Sequence, residues 1–164
     1  MRVTVTAADA ARGEITLPEI AAAVVPVPAV GDTPALSFQR SDGTAGTLAD
    51  CRGRHTLVHF WASWCGPCKQ QLPALRRLQE RFAGRGLALL GLSLDDHQAA
   101  WQAALKRLDL PWPQGRLAAA RAAGVSSVPA YWLLDRTGKL VAKSNGPEEL
   151  APFLPRSGRG ELGR

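Results

Sequence analysis

Cys65-Gly66-Pro67-Cys68 is the segment whose residue types and spacing most directly imply chemistry. Two cysteines three positions apart at the start of a helix lie about one turn from each other, close enough to close a disulfide without distorting the backbone. Such a dithiol can switch between oxidised and reduced forms. Cys65, at the helix N-terminus, meets unpaired amide hydrogens and the positive end of the helix dipole, which stabilise its thiolate and make it the attacking sulfur. Cys68, one turn further in, is placed to resolve a mixed disulfide. Pro67 presets a helical dihedral where its missing N–H costs nothing, and Gly66 leaves room for a substrate to approach. The same pair can instead be half of a zinc site, or an ordinary structural pair. Zinc would need two more ligands from Cys51, His55, His59 and His97, and there is neither a second Cys-x-x-Cys nor a closely spaced His pair, so no metal is expected. Three cysteines are too few for a disulfide-stapled scaffold, and the odd number prevents complete internal pairing. Cys51 reads as a small buried residue, with glutathionylation the lesser reading.

Positioning the pair requires a strand leading in and a helix leading out. His55 to Trp61 is a β-prone run, and apolar residues then recur at Cys68, Leu72, Leu75, Leu78 and Phe82 with helical spacing. Pro73 predicts a kink in that helix, and Gly84 and Gly86 end it. Leu36–Phe38 and Thr47–Leu48 flank Ser41-Asp42-Gly43 as an N-terminal hairpin. Leu87 to Leu94 predicts a strand buried on both faces, Asp95 or Asp96 an N-cap, and Trp101, Ala104, Leu105 and Leu108 one face of the next helix. Leu110 to Pro113 is extended, and Leu117 to Ala123 is a short Ala-rich helix. Ala130–Leu134 and Lys139–Lys143 form a second hairpin around Asp135-Arg136-Thr137-Gly138, and Pro147–Leu154 a final helix. This order predicts an α/β sandwich with a mixed central sheet. Residues 1–29 read as an extension or linker, the remnant of a preceding domain being one origin; 30–154 is the domain, and 155–164 a flexible tail.

At 164 residues the chain can bury a sizeable core in one domain. With 46% hydrophobic and 21% charged residues and a mean hydropathy of -0.08, its composition is neither disordered nor membrane-like. The longest apolar run, Ile20 to Val30, is broken by Pro26 and Pro28 and falls short of the roughly 20 residues of a membrane helix. No signal peptide is visible, since Asp9 and Glu14 lie early and no apolar block follows Arg2. The first 50 residues carry three Lys/Arg and six Asp/Glu, the remainder seventeen and eight, for a net charge of +6. The basic residues are spread over helices and turns without interleaved aromatics, so no nucleic acid is expected as a partner.

The run Phe60-Trp61-Ala62-Ser63-Trp64-Cys65-Gly66-Pro67-Cys68 resembles the active-site strand and helix start of thioredoxin-fold proteins. More narrowly, Val30-Gly31-Asp32, Ser41-Asp42-Gly43, Gly124-Val125-Ser126-Ser127-Val128-Pro129 and the turn at Asp135 are similar to TlpA/ResA-like thiol-disulfide oxidoreductases, members of the redoxin group, over residues 30–154. The resemblance implies a thioredoxin-like three-layer α/β/α sandwich, with the N-terminal hairpin and an inserted strand-helix unit, Leu87 to Leu108. It implies a cis bond at Val128-Pro129, facing the cysteines and presenting backbone groups to an extended substrate. Trp64, beside Cys65, is expected to form an apolar docking rim, whereas Trp61, Trp101 and Trp112 are expected to pack.

The activity implied is exchange with protein disulfides, with no dissociable cofactor and an upstream thiol reductant as electron donor. The resemblance to thioredoxin implies that the Gly-Pro spacer favours the reducing direction. An extracytoplasmic setting is the family habit, with cytochrome c maturation one such setting, and a monomer is expected. The alternatives are a thiol peroxidase of the same fold, for which Trp61-Ala62-Ser63-Trp64 lacks the required proline, and a non-enzymatic metallochaperone holding copper or zinc. An isomerase would ordinarily add a dimerisation element, which is not found. Two departures stand out. Gln71 replaces an acidic residue common in relatives, and His59 stands where thioredoxin has a buried Asp. His59 is therefore a candidate proton acceptor for Cys68, against the plainer reading of a hydrogen-bonded or partly exposed strand histidine. Asp95, Asp96 and Asp135 read as cap and turn residues.

Overall fold

The computed structural model describes residues 26–51, 53–117 and 123–154. The strand expected near Val3, most of the Ala-rich segment after Leu117, and the tail lie outside them. Seven strands form one mixed sheet: β1 (Ser37–Arg40), β2 (Ala45–Thr47), β3 (His55–Trp61), β4 (Leu87–Ser93), β5 (Gln114–Arg116), β6 (Ala130–Asp135) and β7 (Leu140–Ser144). Their order is β2-β1-β5-β4-β3-β6-β7. The central β3, β4 and β5 run parallel, and both flanking hairpins pair antiparallel. Among the described residues the α-helices are α1 (Gly66–Gln70), α2 (Leu72–Phe82) and α3 (Gln98–Leu108).

The pleat of β3 divides the core. Leu57 and Leu133 of β6 face one side and pack with Leu72, Leu75, Leu78 and Phe82 of α2 and with Leu150. Val58, Phe60, Leu90, Leu92 and Trp132 face the other, against Leu36, Leu48, Leu117 and Val125. Cys68 of α1 and Trp101 and Ala104 of α3 pack with Trp61, on the same face of β3 as Leu57, so α1, α2 and α3 all lie on that side. The second layer, among the described residues, is made by the extended lead-in with Leu36, by Leu48, and by Leu117, Ala123 and Val125.

Three expectations change in detail. The helix after the cysteines is two helices rather than one kinked helix. Gln71 ends α1 and begins α2, so Pro73 falls in the first turn of α2, where a missing N–H leaves no hydrogen bond unmade. Strand β5, Gln-Gly-Arg, follows the Pro-Trp-Pro segment, which bends at Pro111 and Trp112 rather than running extended, and carries no apolar alternation that would mark it in the sequence. The last element, Pro147–Phe153, is a 3-10 helix containing Pro152. By contrast, the turn after β6 forms as its residues dictate. The Asp135 carboxylate accepts from Thr137 and Lys139, and Gly138 takes the φ of 87° that closes the hairpin.

Candidate active site

Cys65 and Cys68 are joined in a disulfide with their Cα atoms 5.4 Å apart. Cys65 is the N-cap of α1 and has extended backbone, and its sulfur accepts the Cys68 amide hydrogen at 3.3 Å. That bond is what a helix N-terminus offers a sulfur ligand: an amide with no partner inside the helix. Both cysteines are buried in a cluster with Trp61, Ala62, Trp101 and Ala104, against which Val128 packs. The Val128-Pro129 bond is cis. Trp64 projects outward, 69% exposed, and the space beside Gly66 is open.

The strand that delivers the disulfide is anchored by polar side chains. The Trp61 indole N–H donates to Gln114 Oε1 at 3.2 Å, and the Gln114 amide N–H donates to the Trp112 carbonyl. Gln114 lies over Gly91, where a Cβ would collide with its amide group, so the absence of a side chain at 91 makes room for it. Ser63, in the loop after β3, donates its amide and hydroxyl hydrogens to the Asp95 carboxylate at 2.9 and 2.6 Å. Asp95 is therefore not the cap of α3. That position belongs to His97, whose side chain makes no capping bond. Sequence reasoning placed Asp95 among caps because it precedes a helix; only its pairing across the sheet end reveals the inward turn.

His59 is fully buried, and among the described residues neither ring nitrogen has a hydrogen-bond partner. It pairs with Tyr131 across β3 and β6, and their rings stack with centroids 4.9 Å apart. Both plainer expectations, a hydrogen-bonded or a partly exposed histidine, are corrected. Burial drives its pKa from 6.5 down to about 3. So weak a base does not hold a thiol proton at neutral pH, which weighs against His59 as the acceptor for Cys68. Tyr131 donates to Gln71 Oε1 at 2.8 Å, and the Gln71 amide donates to the Asn145 carbonyl. Burial also pushes the Tyr131 phenol up, so it stays a donor. Gln71 thus ties the break between α1 and α2 to the β6–β7 side.

Cys51 ends a 3-10 turn, half-buried, and burial pushes its thiol up. His55 begins β3, at the strand end opposite the disulfide. Among the described residues no group of three or more His, Cys, Asp or Glu side chains could hold a metal ion. None of their helices is long and apolar enough to cross a membrane.

The family model described as Redoxin matches residues 29–153. A thiol-disulfide oxidoreductase ResA of Bacillus cereus is 29% identical over 119 residues, which are 69% of this chain and 69% of that protein. The thioredoxin domain of a thiol-disulfide oxidoreductase from Bacteroides vulgatus superposes with a TM-score of 0.69 at 26% identity, over 78% of this chain and 99% of the other. A thiol-disulfide oxidoreductase from Bacteroides fragilis gives 0.64 at 32% identity, over 74% of this chain and 95% of the other. The chain belongs to the Redoxin family, and its fold is the thioredoxin-like α/β sandwich. With its Cys-x-x-Cys pair at disulfide distance, it is a thiol-disulfide oxidoreductase of the TlpA/ResA-like kind. Enzymes of this family work through the cysteine pair, without a cofactor.

Proposed function

We propose that the protein reduces disulfides in other proteins, with Cys65 as nucleophile and Cys68 as resolving cysteine. The position of the Cys65 sulfur, capping α1 and accepting the Cys68 amide, is the observation that carries this reading. A thiolate there keeps that hydrogen bond and gains the helix dipole. In the forward direction the Cys65 thiolate attacks one sulfur of the substrate disulfide, forming a mixed disulfide and expelling the other as a thiolate. The Cys68 sulfur then attacks Cys65, releasing the second substrate thiolate, and its proton passes to the released thiolates or to solvent. Two electrons move to the substrate, and the Cys65–Cys68 disulfide seen here is the product state. An upstream thiol reductant restores the dithiol by the reverse exchange.

Exposed Trp64 and open space beside Gly66 give an incoming polypeptide an apolar surface next to the sulfur. Val128, packed at the same place, and the adjoining Pro129 supply backbone for an extended substrate segment, and the protein acts as a monomer. The test equilibrates the protein with a dithiol redox buffer and counts free thiols by alkylation and mass spectrometry. A potential near or below about -250 mV supports the reductant, whereas about -120 to -180 mV indicates an oxidant or isomerase. Cys65→Ser should abolish insulin reduction, and Cys68→Ser should trap a mixed disulfide through Cys65; a trap through Cys68 in Cys65→Ser would reverse the assignment.

A further inference from the structure

We propose that Asp95 is a positioning residue for Cys65 and sets how readily the Cys65–Cys68 disulfide is reduced; this rests on Cys65 being the nucleophile. Asp95 is 2% exposed, and among the described residues no cationic side chain lies within ion-pair distance of its carboxylate. A buried carboxylate without a counter-charge persists only where hydrogen bonds replace its water. Here three donors do so: the Ser63 amide, the Ser63 hydroxyl, and the Ser93 hydroxyl at 2.6 Å. Ser93 in turn accepts the Asp95 amide hydrogen, which fixes the direction of its own hydroxyl.

Two of the three donors belong to the loop that leads into the nucleophile. Ser63 stands two residues before Cys65, at most about 7 Å of extended chain. The loop is also held on its other sides: the Cys65 amide donates to the Ala62 carbonyl at 3.1 Å, and the Leu94 amide donates to the Trp61 carbonyl at 2.8 Å. Asp95 itself is braced from behind by Arg116 of β5, whose guanidinium meets the Asp95 and Asp96 carbonyls and Gln39 of β1. The end of β4 thereby locks the approach of Trp64 and Cys65.

Because the clamp is a charge as well as a set of hydrogen bonds, it also acts on the redox equilibrium. Reduction adds two electrons and two protons to the disulfide, and Cys65 then releases one proton to become a thiolate. A nearby negative carboxylate opposes that thiolate, counter to the helix dipole, and so favours the disulfide. Among the described residues, the other charged or titratable groups near the loop include Arg116, directed at backbone carbonyls and Gln39; Asp96 and His97, next along the chain; Lys69 in α1; and His59, whose ring stacks on Trp61 with centroids 6.5 Å apart.

The experiment compares the wild type with Asp95→Asn and Ser63→Ala. It reads the pH midpoint of Cys65 alkylation, the equilibrium constant against glutathione, the exchange rate at high pH where Cys65 is fully thiolate, and the unfolding midpoint. Asp95→Asn keeps the shape and removes the charge, so its alkylation midpoint should fall and its equilibrium constant should move at least twofold toward the dithiol. Ser63→Ala keeps the charge and loosens the loop, so its limiting rate should fall at least twofold. An Asn variant with a smaller or opposite change overturns the proposal, even if its unfolding midpoint drops, because a purely structural role would move only that. Should Asp95→Asn fail to fold, Ser63→Ala decides, and an unchanged limiting rate overturns the proposal. Separately, wild-type protein in which Cys68 alkylates before Cys65 would defeat the assignment of the nucleophile, whatever the variants do.

Discussion

Adjacent rows across the same sheet are equally buried and chemically opposite. One row runs Leu90, Val58, Trp132, all turned to the side away from α1, α2 and α3 and all apolar. The next runs Gln114, Gly91, His59, Tyr131, turned to the side that carries the helices and the disulfide cluster. The first row does what sheet interiors ordinarily do: it removes apolar surface from water and asks only for volume. The second keeps polar groups where water cannot reach. Its members brace Trp61 and Gln71, while the His59 ring has no hydrogen bond among the described residues. Stability and function are thus loaded on opposite faces of β3, one residue apart, and substitutions should separate them.

The largest effect is expected on the apolar side. Phe60, edge-on to Trp132 at 4.7 Å, is fully buried. Phe60→Ala should cost about 3–5 kcal/mol in urea unfolding while leaving the reduction potential unchanged. A shifted potential would show that the two faces are not independent.

The polar row should reveal itself through acid. The unfolded chain protonates His59 near its ordinary 6.5, whereas the folded protein resists protonation down to about 3. In that window the unfolded state binds more protons, so stability is fully present above 6.5 and lost as pH falls, by up to about 1.4 kcal/mol per unit. His59→Phe, which removes no hydrogen bond, should flatten that slope without harming stability at neutral pH. A Phe variant with the wild-type slope would remove His59 from the account of acid sensitivity.

Smaller again is Tyr131→Phe, which leaves Gln71 Oε1 without its donor and should cost about 1 kcal/mol. Finally, Trp64→Ala should change stability by less than about 0.5 kcal/mol, because the side chain is exposed. Its effect should appear instead as a raised KM for a protein disulfide and an unchanged rate with a small aliphatic disulfide. Equal losses with both would deny Trp64 a docking role.

Most of the scaffold was legible because local rules and burial agree. The periodicity of Leu72, Leu75, Leu78 and Phe82 marked a buried helix face, and Asp135 with Gly138 marked a turn that closes by its own hydrogen bonds. The cysteine pair was legible because the helix start explains both its spacing and its spacer. What escaped were features created by strand pairing. Strand β5 has no hydrophobic signature, and its place follows from Gly91 and Leu92 offering partners. Asp95 looked like a cap until the end of β4 met the loop after β3. His59 looked available for proton transfer because nothing in a linear sequence shows that its ring lies against Tyr131 without a single hydrogen-bond partner.

Gly91 and Gln114 carry a consequence for descent. Because a Cβ at 91 would fall on the Gln114 amide, the two positions are not free to vary one at a time. A lineage that gains a side chain at the first must shorten the second, and the Trp61 indole then loses its acceptor beside the disulfide. The pair should therefore drift together among homologues, as one inherited unit spread over two strands.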